Sequence, residues 1–400
     1  MSLLPVEEAQ ARLLARSAPL PIEHVPLSTA RGRYLAEPLV ALRDQPWADL
    51  SAMDGYAIHH ADLPGPWRLV GESRAGGVPP GDSLEPGTAM RIFTGAPLPA
   101  EADAILVQEE ASAEGDRITL TGEGPGGVGR NVRRRASDFA SGAALLDAGV
   151  RIGATQIALA AMSGHVTLPV RRAPRVAILS TGDELVPLGA PLRPGQIPAS
   201  NDIMLAAMLA EEGAEIIELG LIPDRLDAVI HAFHSAAGAD IIVSTGGASV
   251  GDHDLVAPAI QAAGGTLDFW KIALRPGKPL MAGSLGDALF LGLPGNPVSA
   301  FVTATLFLLP LVRHLGGASA PLPPVATLST DVALRPGGQR AEYLRALVRE
   351  GRVTVVADRD SAALRPLAHS NAFIVRPIDA PAVEAGGSVK AILLENGCFA

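Results

Sequence analysis

The sequence predicts a multidomain α/β plus β fold, in which a doubly wound parallel-sheet domain is joined to small β modules. Three observations point there. From Arg175 to about residue 315, apolar strand-like runs alternate with helical stretches, the pattern of a parallel sheet covered by helices on both faces. Residues 65–135 and the chain beyond Gly317 break instead into short apolar runs separated by glycine and proline. Finally, 400 residues with 48% hydrophobic and 18% charged composition exceed one ordinary core but can fill several.

The elements follow in chain order. Residues 3–18 space Val6, Ala9, Leu13 and Leu14 on one helical face. A proline-broken extended segment leads to Pro46–Ile58, where Asp54-Gly55 is a turn signal that suits a plain turn acid as well as a site. Arg68–Val70, Ala89–Phe93, Ala104–Gln108 and Arg117–Leu120 are the strand runs of a small all-β module. At its centre a strand ends at Thr94-Gly95, a turn able to contact an anion. At its exit GRNVRRRASD, from Gly129 to Asp138, is either a positive patch or a solvated basic loop. Ile152–Met162 is an alanine-rich helix, and Pro169–Pro174 a linker. These boundaries give a discontinuous helical/linker domain (1–45 and 139–170), a small β module (46–138), an α/β domain (171–318) and a C-terminal β-barrel-like domain (319–400).

In the α/β domain, strands are expected at 175–180, 215–219, from about 240, at 269–274 and at 288–291, with helices at 202–212, 226–236, 255–263 and after Pro297. Ligands of such sheets lie at the carboxyl ends of the strands. Three of those ends carry small-residue turns: Ser180-Thr181-Gly182-Asp183-Glu184, Ser244-Thr245-Gly246-Gly247 and Gly292 to Pro297 (GLPGNP). Glycine lets backbone N–H groups approach an anion, and a following helix N-terminus adds its dipole. In Ile241–Asp254 the acids Asp252 and Asp254 beside the glycine turn suit a divalent metal or a cationic partner. The P-loop and dinucleotide patterns are absent. The chain has three lysines, and two, Lys271 and Lys278, fall in WKIALRPGKP, a pairing that fits either a need for a compact ammonium or coincidence.

The C-terminal module reads as strands at 341–349, 352–357, 372–376 and 388–394. Arg340, Glu342 and Arg345 lie in RAEYLR, read as alternate positions on one strand face, where structural ion pairs are as reasonable as ligand contacts. Ser361 lies in a small-residue loop, and Asn371 just before a strand. A net charge of -10 argues against a general nucleic-acid binder. The one cysteine, Cys398, excludes an intramolecular disulfide or a multi-cysteine zinc site and reads as incidental. The N-terminus lacks a signal-peptide pattern, and Val298–Val312, interrupted by Pro310, reads as a buried helix rather than a membrane span. A cytoplasmic protein is expected.

Together the motifs resemble those of the molybdopterin molybdenumtransferases of the bacterial MoeA type, and are similar to the C-terminal domain of gephyrin. The resemblance rests on SAMDGYA (Ser51–Ala57), FTGAP (Phe93–Pro97), NVRRRASD (Asn131–Asp138), STGDEL (Ser180–Leu185), STGGASVGDHD (Ser244–Asp254), RPGKP and GLPGNP, in that order across nearly the whole chain. Each is weak alone; the set is specific.

The resemblance implies an elongated, four-part subunit in a homodimer, with the α/β domain binding molybdopterin. It implies that Asp54, Thr94 and Asp138 of one subunit face Glu184 and Asp254 of the other. The implied reaction inserts molybdenum from molybdate into adenylylated molybdopterin and releases AMP, with Mg2+ or another divalent cation. On this reading Asp54, Asp138, Glu184 and Asp254 are catalytic, and Asp54, Glu184 and Asp254 hold the metal. Thr94, Thr181, Gly182, Asp224, Ser244, Gly246, Gly247, Ser249, Lys271, Arg275 and Lys278 bind substrate, as do Pro294, Gly295, Asn296, Pro297, Arg340 and Ser361. Further partners would be a molybdopterin adenylyltransferase or cofactor-accepting enzymes, not nucleic acid or membrane. Arg275 stands where the family often has lysine, Ala248 where it often has valine, and Ser137 where glutamate is frequent. Rival readings are the adenylyltransferase itself, a non-catalytic scaffold of the gephyrin kind, and a generic sugar- or nucleotide-phosphate binder.

Overall fold

The computed structural model describes residues 3–78, 80–81, 83–247, 255–269, 271–277, 280–358 and 360–394. The first helix, Val6–Leu14, buries Val6, Ala9, Gln10 and Leu13 on one face. Those apolar residues join the core of the α/β domain, with Val176, Ile178, Ile241 and Val243. Gln10 has a defined task there. The apolar helix that follows the GLPGNP turn runs α-helical over Pro297–Thr303, widens to a π-helix over Ala304–Leu308, and resumes over Leu309–Leu315. Pro310 has no N–H and cannot return the usual bond to Leu306 O, four residues back. Gln10 Nε2 donates to that carbonyl at 2.8 Å. The Pro297–Leu315 helix is apolar enough to cross a membrane by composition, but 83% of its apolar window is buried inside the protein.

The α/β sheet has the order Glu215–Ile222, Arg175–Thr181, Ile241–Thr245, Ala288–Leu293, Met281–Leu285, Thr266–Phe269. Its first four strands are parallel. The last two pair antiparallel, so the sheet departs from the wholly parallel expectation. The cause is local: Met281–Leu285 and Ala288–Leu293 form a hairpin whose tight turn uses Gly286 at φ 58°. The strand expected over 269–274 also differs, because the structure ends one strand at Phe269 and begins a short one at Leu274. Alternate residues divide between the sheet's faces. Val176 and Ile178 meet Leu205, Leu209 and the 297–315 helix, whereas Ala177 and Leu179 meet Val229, Phe233, Val256 and Ile260.

Residues 46–138 form a six-stranded sheet with an apolar cluster on each face, one around Tyr56, Ile58 and Trp67 and one around Ala57, Ile92 and Ile105. Its stem is tied by the antiparallel pair Ile22–Pro26 and Thr167–Arg171. The buried carboxylate of Glu212 fixes this stem to the α/β domain, accepting from Tyr34 at 3.5 Å and Arg313 at 2.9 Å. In the C-terminal domain, Ala341–Arg349 pairs with both Arg352–Val355 and Ala372–Arg376, which closes the sheet into a small barrel. Leu274–Arg275 of the α/β domain adds a parallel strand to Ala341–Glu342 and anchors the barrel. Asn371 is structural: its amide exchanges bonds with Val348 N and O at 2.7 and 3.0 Å.

Candidate functional site

The three glycine turns meet at the carboxyl edge of the sheet. Gly246 has φ 89°, and a Cβ there would lie 2.2 Å from Thr181 O. Gly247, at φ 60°, would push a Cβ to 2.8 Å from Thr181 Oγ1 and from Val256. Only glycine permits this approach and backbone conformation. A Cβ on Gly295 would lie 3.5 Å from Gly246 Cα, so the third turn is adjacent. Asn201, at the start of a helix, links them by donating to Thr245 Oγ1 at 2.9 Å and Gly295 O at 2.7 Å. Sequence reasoning missed Asn201; its only signal is a polar residue at a helix start. Under the turns, the hydroxyls of Ser180, Thr181 and Ser244 are buried and have no hydrogen-bond partner among the described residues.

Gly182 has φ 149°, and the Glu184 carboxylate occupies the space a Cβ would need. Asp183 N donates to Asp224 Oδ2 at 3.2 Å, and Asp224 N to Asp183 Oδ1 at 3.3 Å. Loss of solvent, with the charges of Asp183 and Glu184, holds the Asp224 carboxyl above its ordinary range despite the Asp183 N–H. Three acids thus gather beside the glycine turns. Among the described residues, no three His, Cys, Asp or Glu side chains converge tightly enough to cage a metal by themselves. Asp254, Ser249 and Lys278 lie outside the described residues.

A second group lies on the 46–138 module. Asp54 Oδ1 accepts from Thr94 N at 2.7 Å and Thr94 Oγ1 at 2.9 Å. These bonds, backbone first, with the charge of Arg91, hold the Asp54 carboxyl below its ordinary range. Arg91 stacks 5.0 Å from the ring centroids of Tyr56 and Phe93 and donates to Gln108 Oε1 at 2.7 Å. The arginine run is less free than its composition suggests. Arg134 pairs with Asp49 at 2.6 Å, and Arg135 with Asp44 at 2.6 Å. Asp138 is exposed and donates its N–H to Gln45 O at 3.0 Å. The polar contacts of Asp54, Thr94 and Asp138 stay within this half of the chain, and none joins Glu184 or Asp224.

The third group surrounds a cavity of about 280 Å³ between the α/β domain and the barrel. Arg275, Asn296, Ser299, Arg340, Arg345 and Ser361 face it with Glu342 and Asp358. Asn296 donates to Ser361 Oγ at 3.0 Å, and Val298 N to Ser361 O at 3.0 Å, so the GLPGNP turn and the barrel loop meet here. Pro294 is buried behind this turn, and Pro297 opens the helix. Arg345, 5% exposed, donates to the carbonyls of Asp358, Asp360 and Ala363 at 2.5, 3.0 and 2.9 Å. It shapes the loop that carries Ser361. Lys271 is exposed, and its carbonyl accepts from Leu4 N at 2.9 Å; it is not part of the cavity wall. Arginines, hydroxyls and an amide around a polar cavity suit a small oxyanion.

Comparisons with known proteins identify the family. Family models described as "MoeA N-terminal region (domain I and II)", "Probable molybdopterin binding domain" and "MoeA C-terminal region (domain IV)" match residues 4–164, 177–314 and 326–394. A molybdopterin molybdenumtransferase of Nostoc sp. is 37% identical over 395 residues, covering 93% of this chain and 88% of the relative. That of Haemophilus influenzae is 34% identical over 397 residues, covering 97% and 98%. A solved structure of the molybdopterin biosynthesis moeA protein from Pyrococcus horikoshii is similar at TM-score 0.84 and 27% identity, covering 98% of this chain and 100% of that one.

Proposed function

The chain belongs to the molybdopterin molybdenumtransferase family, and from that membership we propose that it inserts molybdenum from molybdate into adenylylated molybdopterin and releases AMP. It is an enzyme of molybdenum cofactor biosynthesis. The observation that carries the finer reading is the arginine-lined cavity beside the glycine turns. The turns offer backbone N–H groups to the pterin nucleotide. The cavity takes molybdate, held by Arg275 and Arg340 with Asn296, Ser299 and Ser361. Adjacent seats for an oxyanion and a nucleotide turn an encounter between two anions into a local step. The pterin's own thiolates ligate molybdenum, so a chain with one cysteine suffices.

Magnesium binds through one or two carboxylates and completes its octahedron with water and substrate phosphate. Asp183, Glu184 and Asp224 fit that donor chemistry without caging the ion. Bound there, the ion would neutralise charge on the phosphoanhydride. We further propose a cytoplasmic homodimer in which Asp54, Thr94 and Asp138 of a second copy complete the site, because one chain leaves them with their own module. An adenylyltransferase reading leaves the 46–138 module and the barrel cavity without a task. The deciding experiment incubates the protein with adenylylated molybdopterin and Mg2+, with and without molybdate, and measures AMP. Molybdate-dependent AMP release supports insertion; AMP release indifferent to molybdate, or none, rejects it.

A further inference from the structure

The cations around the cavity are not equally available. Arg345 is committed to three carbonyls of the 358–363 loop and lies 3.7 Å from the Asp358 carboxylate. Arg340 is exposed and makes no hydrogen bond or ion pair with the described residues. Arg275 is intermediate: its side chain is 61% exposed, and its Nη1 lies 3.6 Å from Glu342 Oε1. The backbone enforces that proximity, because Arg275 and Glu342 are register partners on the parallel strand pair that joins the barrel to the α/β domain. The Glu342 side chain is only 20% exposed, and Arg275 is its ion-pair partner among the described residues. Glu342 therefore puts a negative charge into the cavity wall beside Arg275, whereas the other acid there, Asp358, lies against the committed Arg345.

We propose that Glu342 sets the affinity of this cavity for its oxyanion by competing with it for Arg275. The inference rests on the reading of the cavity as the molybdate seat. An incoming dianion must draw Arg275 away from Glu342, and it then shares the cavity wall with that carboxylate. Both effects weaken binding. A substrate that must leave its seat to reach the pterin thiolates is better held loosely than tightly. Glu342 is on this account an affinity-limiting residue, and its removal is a gain of binding.

The test uses the full chain and sodium molybdate alone, followed by calorimetry or equilibrium dialysis. Glu342→Gln keeps the size and removes the charge, and its Kd is expected to fall about two- to fivefold. Glu342→Asp, which draws the carboxylate back from Arg275, should give a smaller fall in the same direction. In an Arg275→Gln background the gain from Glu342→Gln should shrink, since the competition is then gone. An unchanged or raised Kd in a Glu342→Gln protein with the wild-type melting midpoint overturns the proposal, as does an undiminished gain in the Arg275→Gln background. The seat itself is tested separately. If the wild type binds no molybdate, or Arg340→Ala leaves the Kd unchanged, the cavity is not the seat and the inference falls with it.

Discussion

Asp54 gives one carboxylate oxygen to Thr94 and keeps the other free of donors among the described residues. That arrangement suits an acid that presents a single oxygen to a ligand. The local sequence, a turn at Asp54-Gly55, does not distinguish it from a plain turn acid. The decisive contact comes from a residue 40 positions away, which no local pattern contains. Asp54→Ala is expected to lower molybdate-dependent AMP release by about 100-fold or more in a protein that still folds; full activity in the folded variant would remove Asp54 from the site. Arg91 is the residue behind it. Sandwiched by Tyr56 and Phe93 and bonded to Gln108, it fixes a positive charge near Asp54. Arg91→Ala should lose about tenfold in activity, and Arg91→Lys should recover part of it, because lysine keeps the charge but not the planar fork. Equal losses in the two variants, measured by the same assay, would mean that the stacked plane rather than the charge matters.

Elements were legible where one physical signal dominated. The apolar runs at 175–181 and 241–245 and the helical spacing of 6–14 announce buried strands and an amphipathic helix. The antiparallel edge of the α/β sheet was not legible, because the apolar runs at 281–285 and 288–293 are compatible with either direction and only the turn at Gly286 decides. Nor does a run of three arginines reveal that Asp44 and Asp49, some ninety positions earlier, neutralise two of them. That loop has a pH signature. Partial burial raises the Asp49 carboxyl, but the Arg135 N–H and the Arg134 guanidinium outweigh it and leave the group below its ordinary range. A depressed carboxylate contributes stability above the unfolded value of about 4 and loses it as pH falls through the folded one. Asp49→Asn should therefore lower the denaturant midpoint at about pH 6 relative to wild type, with the gap closing below about pH 4. Gln10 supplies a second test. Gln10→Leu strands the Leu306 carbonyl that Pro310 cannot reach, so unfolding in urea should show a loss of about 1–3 kcal/mol at constant m.

At the scale of the whole molecule, the sites fall into two sets that one chain does not bring together by any described hydrogen bond. Asp54, Thr94 and Asp138 stay on the β module, while Glu184, Asp224 and the glycine turns stay on the α/β domain next to the barrel cavity. Strand ends that converge on one sheet edge can be anticipated from topology. Convergence between subunits cannot, since it depends on surfaces that local patterns do not describe. A shared site has a specific consequence. In a heterodimer of one Asp54→Ala subunit and one Glu184→Ala subunit, one site carries both substitutions and the other carries neither. Each parent homodimer should be inactive, and the verified heterodimer should recover about half of the wild-type molybdate-dependent AMP release. Sites contained within single chains give a different result, because every site then keeps one lesion. Differently tagged subunits, co-expressed and purified through both tags, make the measurement. A heterodimer as inactive as its parents would place Asp54 and Glu184 in the same chain's site and reject the cross-subunit arrangement.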